Sequence, residues 1–412
     1  MLVLTGLLAT LGVGCGGGDD EGGAGTTLRW FVAIQPGGTI QEVANRCTEE
    51  SNGRYNVELE LLPTLADQQR EQLVRRLGAE DSTIDIIGMD VIWTAEFANA
   101  GWLREWPEPQ ASQVTENVFD SVLETAMFEG TLYGAPFNSN TELLWYRTDE
   151  VQRPPTTWDE MISEAEQLGS TIQVQANRYE GFTVWVNYMI ESAGGQILSG
   201  PGEVDLPEGP TEEALSVIGR FANSSAAPED IDTSTEDSAR RSFEAGASAF
   251  MLNYTFALGS ATANAPDVAE NMGAAQLPTV VEGTESRPPL GGFNLGVSAY
   301  SENPELAFEA AACLSNAESQ LTATELDGLP PSREDLYTDK VVRDAFPGFS
   351  DDIRRSIADA APRPLTPAYT DLSLAIQRAL HPPAKIDPDD PGPVYDELRE
   401  KAEEAVKREG LL

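Results

Sequence analysis

The chain has 412 residues, with 26 basic and 68 acidic side chains and a formal charge of −42. That length suits two or three domains, and 41% hydrophobic residues are enough for a buried core without dense disulfide stapling or a structural metal. An acid surplus spread along the whole chain excludes partners that require a basic face, nucleic acid and anionic membrane surfaces among them.

Residues 1–13 are apolar and uncharged, too short a run to span a bilayer as a helix. Gly14 and Cys15 follow, then a stretch rich in Gly, Asp and Glu. The arrangement resembles a bacterial lipoprotein signal, with residues 1–15 as the signal segment and Cys15 as the lipidated residue. Residues 16–26 then read as a flexible tether, so the chain is expected outside the cell, anchored to the outer face of the membrane. With Cys15 lipidated, Cys47 and Cys313 remain, each on a predicted helix. In an exported protein such a pair is expected to form a disulfide, two buried free thiols being the alternative.

Beyond the tether, hydrophobic spacing predicts strands at 28–33, 55–62 and 84–88 separated by helices at 39–51 and 65–77. This β-α-β-α-β order implies a mainly parallel sheet covered by helices, an α/β fold whose ligands sit beyond the carboxyl ends of the strands. Gln35 and Asp90 follow the first and third strands and occupy that edge. An extended segment is expected at 142–147, and a helix opens at Thr157-Trp158 and runs to 168. The run 181–185 reads as a strand, followed by a helix through 191. Strands are expected at 249–253 and 291–297, and helices at 304–315 and 394–407. His381, the single histidine, lies in Leu380-His381-Pro382-Pro383. No histidine spacing suits a metal, and a serine–histidine or cysteine–histidine mechanism would rest on that one loop residue. No cofactor is called for, although a hydrolase working with two carboxylates stays open.

Several patterns in this order resemble one family: Ile84-Asp85-Ile86-Ile87-Gly88-Met89-Asp90, Tyr133-Gly134-Ala135-Pro136 with Leu144-Trp145-Tyr146, Pro155-Thr156-Thr157-Trp158, Ser192-Ala193-Gly194-Gly195, and Leu290-Gly291-Gly292-Phe293-Asn294-Leu295. They resemble the bacterial extracellular solute-binding proteins of the maltose-binding class, the sugar receptors of ATP-driven (ABC) importers. Arg46-Cys47-Thr48, the run from Asn140 to Arg147, and Pro362-Arg363-Pro364-Leu365-Thr366-Pro367 are most similar to the trehalose-binding lipoproteins. Those proteins commonly carry Asn-Glu where this chain has Gln35-Pro36. The resemblance implies a two-lobe periplasmic-binding-protein fold of type II, with a ligand cleft between lobes joined by a multi-strand hinge. The lobes are expected at 27–140 plus 295–340 and at 141–294 plus 341–412. It also implies a monomer that captures a disaccharide or short oligosaccharide, trehalose-like by preference, and delivers it to permease subunits in the membrane. A secreted carbohydrate-active enzyme and a sugar-sensing receptor are the other readings.

Sugar recognition needs aromatic faces for the C–H surface of the ring and carboxylates, amides or arginine for the hydroxyls. Asp90 is the leading candidate, its competing role being to cap the turn that follows. Asn140 offers an amide beside the predicted interlobe strand, and Arg363, between two prolines, is a rigidly presented donor. Trp185 and Tyr254 are expected to stack on the ligand. Gly291 and Gly292 would let backbone N–H groups approach it, or else form a plain turn. Gln35, Gln68 and Asn253 complete the set.

Overall fold

The computed structural model describes residues 25–63 and 66–407. The lipoprotein segment, Cys15 and most of the tether lie outside them. The first strand, Thr26–Val32, takes in the last residue expected to be tether and pairs in parallel with Tyr55–Leu61 and Ile86–Asp90. The third strand is buried on both faces, which its unbroken apolar run required. The crossover helix Thr39–Glu50 turns Ile40, Val43, Ala44 and Cys47 inward, three and four residues apart. Its start has no local cap. Instead the Asp327 carboxylate, 288 residues away, accepts the Thr39 N–H at 3.1 Å and also that of Gly37.

The main sheet has nine strands, in the order Tyr55–Leu61, Thr26–Val32, Ile86–Asp90, Pro289–Val297, Gly134–Arg147, Phe250–Tyr254 and Ile172–Gln173. Two short strands, Met272–Ala275 and Ala361–Pro362, attach to Gly134–Arg147 and Pro289–Val297. This is the type II periplasmic-binding-protein arrangement. The extended segment expected at 142–147 is the second half of the 14-residue strand Gly134–Arg147, which continues upstream through Asn138 and Asn140. Its first half pairs with Pro289–Val297 and its second half with Phe250–Tyr254.

The strand expected at 181–185 does not form. Glu180–Ser192 is one helix, and eleven of its residues are buried. Its Val, Thr, Phe and Trp suit a strand locally, but a helix enclosed on all sides shows no amphipathic period to reveal it. Around this helix lies one core, with Trp158, Trp185, Phe221, Leu380 and Leu398. A separate core holds Leu28, Trp30, Ile86, Phe137, Leu295 and Ala311.

Two features tie distant segments together. Cys47 and Cys313 form a disulfide across a sequence separation of 266, joining the helices Thr39–Glu50 and Pro304–Leu314. Gly292 has φ +129°, and a Cβ there would stand 2.3 Å from the Asn138 carbonyl oxygen, so two strands cross at a distance that excludes any side chain. The disulfide's long loop should contribute roughly 5–6 kcal/mol in the chain-entropy model, less any native-state strain. Urea unfolding of a Cys47→Ser/Cys313→Ser variant should show a loss of that order. Gly292→Ala should cost about 2 kcal/mol or more.

Candidate functional site

Side chains alternate along a strand, so Asn138, Asn140 and Glu142 share one face of Gly134–Arg147. Register extends that face sideways. Asn138 pairs with Phe293, which pairs in turn with Asp90; Asn140 pairs with Gly291, and Glu142 with Tyr254. A polar row therefore crosses the middle of the sheet, from the carboxyl end of the third strand to the end of Phe250–Tyr254.

Arg363 closes over this row. Its guanidinium is 7% exposed and bridges two carboxylates, Nη2 donating to Asp90 Oδ1 at 3.1 Å and Nη1 to Glu180 Oε1 at 2.8 Å. Burial opposes the charge, but Asp90, Tyr369 and Glu180 outweigh it and hold its pKa well above the ordinary arginine value. Its Nε is buried without a partner. Glu180 opens the helix Glu180–Ser192, where a carboxylate complements the helix dipole. It also accepts the Tyr369 hydroxyl and, at 2.7 Å, that of Ser373. Asp90 fills both roles considered for it: Oδ1 caps the Val91–Trp93 turn through the Ile92 N–H at 3.2 Å and also receives Arg363.

A second acidic pair lies beside the first. Glu142 is 1% exposed, and its Oε2 has no hydrogen-bond partner. Burial, reinforced by Glu236, pushes its pKa up to about 8. Glu236 is half-buried and accepts the Tyr179 hydroxyl at 2.6 Å. Partly buried Tyr254 feels Glu142, Glu236, Arg363 and Asp90 together, which places it between the two clusters.

On another side of Arg363 lies a groove of about 650 Å³, walled by Leu123, Glu124 and Met127 opposite Glu191 and Leu198, with Arg287 at its edge. Burial pushes Glu191 there up to about 7, with Arg287 opposing the shift. Of the residues in the polar row and its clusters, only Arg363 lines this groove.

The family model for the bacterial extracellular solute-binding proteins matches residues 34–321. The chain belongs to that family. A probable ABC transporter-binding protein of Deinococcus radiodurans is 27% identical over 344 residues, covering 79% of this chain and 81% of that protein. Among solved structures, maltose-bound MalE3 of T. maritima aligns with a TM-score of 0.78 at 24% identity, over 92% of this chain and 99% of that one. The sugar-binding protein MalE of Xanthomonas citri aligns with a TM-score of 0.80 at 18% identity, over 93% and 98%. Identities this low establish a shared fold.

Within this solute-binding protein the expected site residues separate. Asp90, Arg363, Asn140 and Tyr254 are brought together. Gln35 is half-buried in the loop after the first strand, and Gln68 is exposed on the helix Ala66–Leu77. Trp185, expected to stack on a ligand, lies 0% exposed in the core against Trp158, Phe182 and Phe221, so it has no face to offer. Asn253 is buried too: its amide donates to the Glu236 carbonyl at 2.9 Å and accepts the Tyr254 N–H at 2.9 Å, which positions its neighbours. Gly291 and Gly292 lie within the strand ladder, not in a turn. His381 packs edge-on against Phe182. Glu180, Tyr369, Glu142 and Glu236 went unrecognised in the sequence. Phe256 was missed as well; 45% exposed just beyond the end of Phe250–Tyr254, it is the apolar ring the strand-end rule could have found.

Glu142 has a consequence for stability. Its folded pKa exceeds the ordinary value of 4.5, so between pH 4.5 and about 8 the folded chain keeps a proton that the unfolded chain releases. This contribution is present at low pH and is lost as pH rises through 8. Glu142→Gln removes it. The variant's stability relative to the parent should therefore climb between pH 5 and pH 8.5, by roughly 3–5 kcal/mol. Urea unfolding at the two pH values checks this, and a pH-independent difference would refute the assignment.

Proposed function

We propose that this solute-binding protein captures a disaccharide or short oligosaccharide at the Asp90–Arg363–Glu180 cluster and delivers it to the permease of an ABC importer. The observation that carries this reading is the cluster itself. It gathers a carboxylate from the carboxyl edge of one sheet region, a carboxylate from a helix packed in the other core, and a buried guanidinium with an unpartnered Nε between them. Hydroxyl groups suit that donor and those acceptors, and the exposed Phe256 ring and partly buried Tyr254 offer faces for the sugar's C–H surface. The names of relatives agree: a diacetylchitobiose-binding protein of Streptomyces coelicolor and a maltodextrin-binding protein of Bacillus subtilis are 20% and 24% identical over parts of the chain.

On this reading the lobes comprise residues 27–140 with 295–340 and 141–294 with 341–412, and they close by a hinge motion. Cys15 carries the lipid that keeps the receptor at the membrane. Trehalose-like disaccharides are the favoured ligands, from the similarity around Asn140 and Arg363. Capture without turnover suits the site better than hydrolysis. Two acids with raised pKa values each face a second carboxylate, Glu142 beside Glu236 and Glu191 beside Glu124; Glu142, at 1% exposure, cannot reach a glycosidic oxygen, and the Glu191 pair lies in the groove outside the Asp90–Arg363–Glu180 cluster.

A thermal-shift screen of trehalose, maltose and related disaccharides should raise the melting temperature for at least one sugar, with no product formed. Calorimetry with that sugar should show Asp90→Ala and Arg363→Ala each weakening binding at least tenfold, about 1.4 kcal/mol or more. Unchanged affinity in both variants would remove the cluster from the site.

A further inference from the structure

The Asp90–Arg363–Glu180 cluster contains one cation, and both of its carboxylates already hold it. The neighbouring pair has none. Among the described residues no Lys or Arg nitrogen lies within 4.0 Å of Glu142 or Glu236. Glu142 is enclosed with an orphan Oε2, an arrangement that normally either finds a partner or is removed, because a lone buried carboxyl loses its hydration for nothing. Every titratable group facing it is acidic or phenolic: Glu236 at the start of the helix Glu236–Glu244, Tyr254 across the ladder, Tyr179 in the turn before Glu180, and Tyr188 on the following helix. None can supply positive charge. Glu236 and Tyr254, both only partly buried, are the members of this group that reach solvent.

We infer that Glu236 and Glu142 form a subsite for a protonated amino group on the captured sugar, so that the receptor favours amino sugars over their neutral counterparts. This rests on the sugar-capture reading and names the ligand class more closely. The ammonium meets Glu236 directly. Glu142, behind it, gives up its proton as the positive charge arrives, since a nearby cation favours the ionised carboxylate. Asn253 fixes the geometry by holding the Glu236 carbonyl. Binding of the cationic sugar therefore releases a proton, while a neutral sugar in the same cleft releases none.

The experiment uses the full chain and matched probes: trehalose, maltose and glucose, each beside its 2-amino-2-deoxy counterpart. Titration calorimetry at pH 6 in buffers of differing ionisation enthalpy measures affinity and proton exchange together. The expected result is that at least one amino sugar binds tenfold or more tightly than its neutral partner and releases close to one proton. In Glu142→Gln the proton release should vanish, and in Glu236→Gln the amine-to-neutral preference should fall to within twofold; melting curves confirm that both variants fold. Neutral sugars binding while no amino sugar binds more tightly would overturn the subsite and leave sugar capture standing. No binding by any sugar would overturn both. Suppression of the amine preference by equimolar sodium or potassium chloride would show a site for inorganic cations and would also overturn the proposal.

Discussion

The strand Gly134–Arg147 serves two neighbourhoods at once. Its first half is laddered to Pro289–Val297 and through it to the parallel strands that carry Asp90; its second half is laddered to Phe250–Tyr254. A strand used in this way cannot slip, because a shift of one residue would turn Asn138, Asn140 and Glu142 to the opposite face and bring Ser139 and Thr141, with Phe137 or Leu143, into their places. Gly292 makes the same demand sterically, since only a residue without a side chain passes the Asn138 carbonyl. The polar row follows from that one register.

The charge balance of the site depends on its local geometry far more than on the chain's −42. Surface ion pairs such as Arg75–Glu71 and Lys340–Asp344 are solvated and contribute little. Arg363 is different: it is buried, and without Asp90 and Glu180 its desolvation would go uncompensated. The two carboxylates belong to segments packed in different cores, so the same guanidinium ties those two cores together. Glu142 shows the converse. With no Lys or Arg paired to it among the described residues, its carboxyl is held protonated by burial up to about pH 8.

How much of this was readable in the sequence depended on how local each signal was. The β-α-β-α-β start, the cysteine pair and the helix capped at Thr157 each announce themselves within a dozen residues or by simple counting, and each is present. Asp90 was legible because it ends an apolar strand, and Arg363 because two prolines frame it. Trp185 was misplaced because a helix buried on every side looks like a strand when its residues are β-branched and aromatic. Glu180, Tyr369 and Ser373 could not be found by inspection: they meet across nearly 190 residues, and nothing in the spacing of an acid, a phenol and a hydroxyl so far apart marks them as neighbours.

The bonds between Arg363 and its two carboxylates are made within the chain, so a sugar gains only what it adds to them. Additional affinity must come from groups not yet engaged. On the proposed reading those are the orphan Nε of Arg363, the NH2 of Asn140, whose oxygen already accepts the Thr141 N–H, and the faces of Tyr254 and Phe256. They come from three separate segments of the chain, around Asn140, Tyr254–Phe256 and Arg363. Hydroxyl geometry, and not the sheer number of acids, then decides which sugar fits, because a misplaced hydroxyl leaves a buried donor or acceptor without a partner and costs about 1–3 kcal/mol each time. On the proposed reading, selectivity is thus tied to the register between Gly134–Arg147 and its two antiparallel neighbours, which sets where Asn140 and Tyr254 stand.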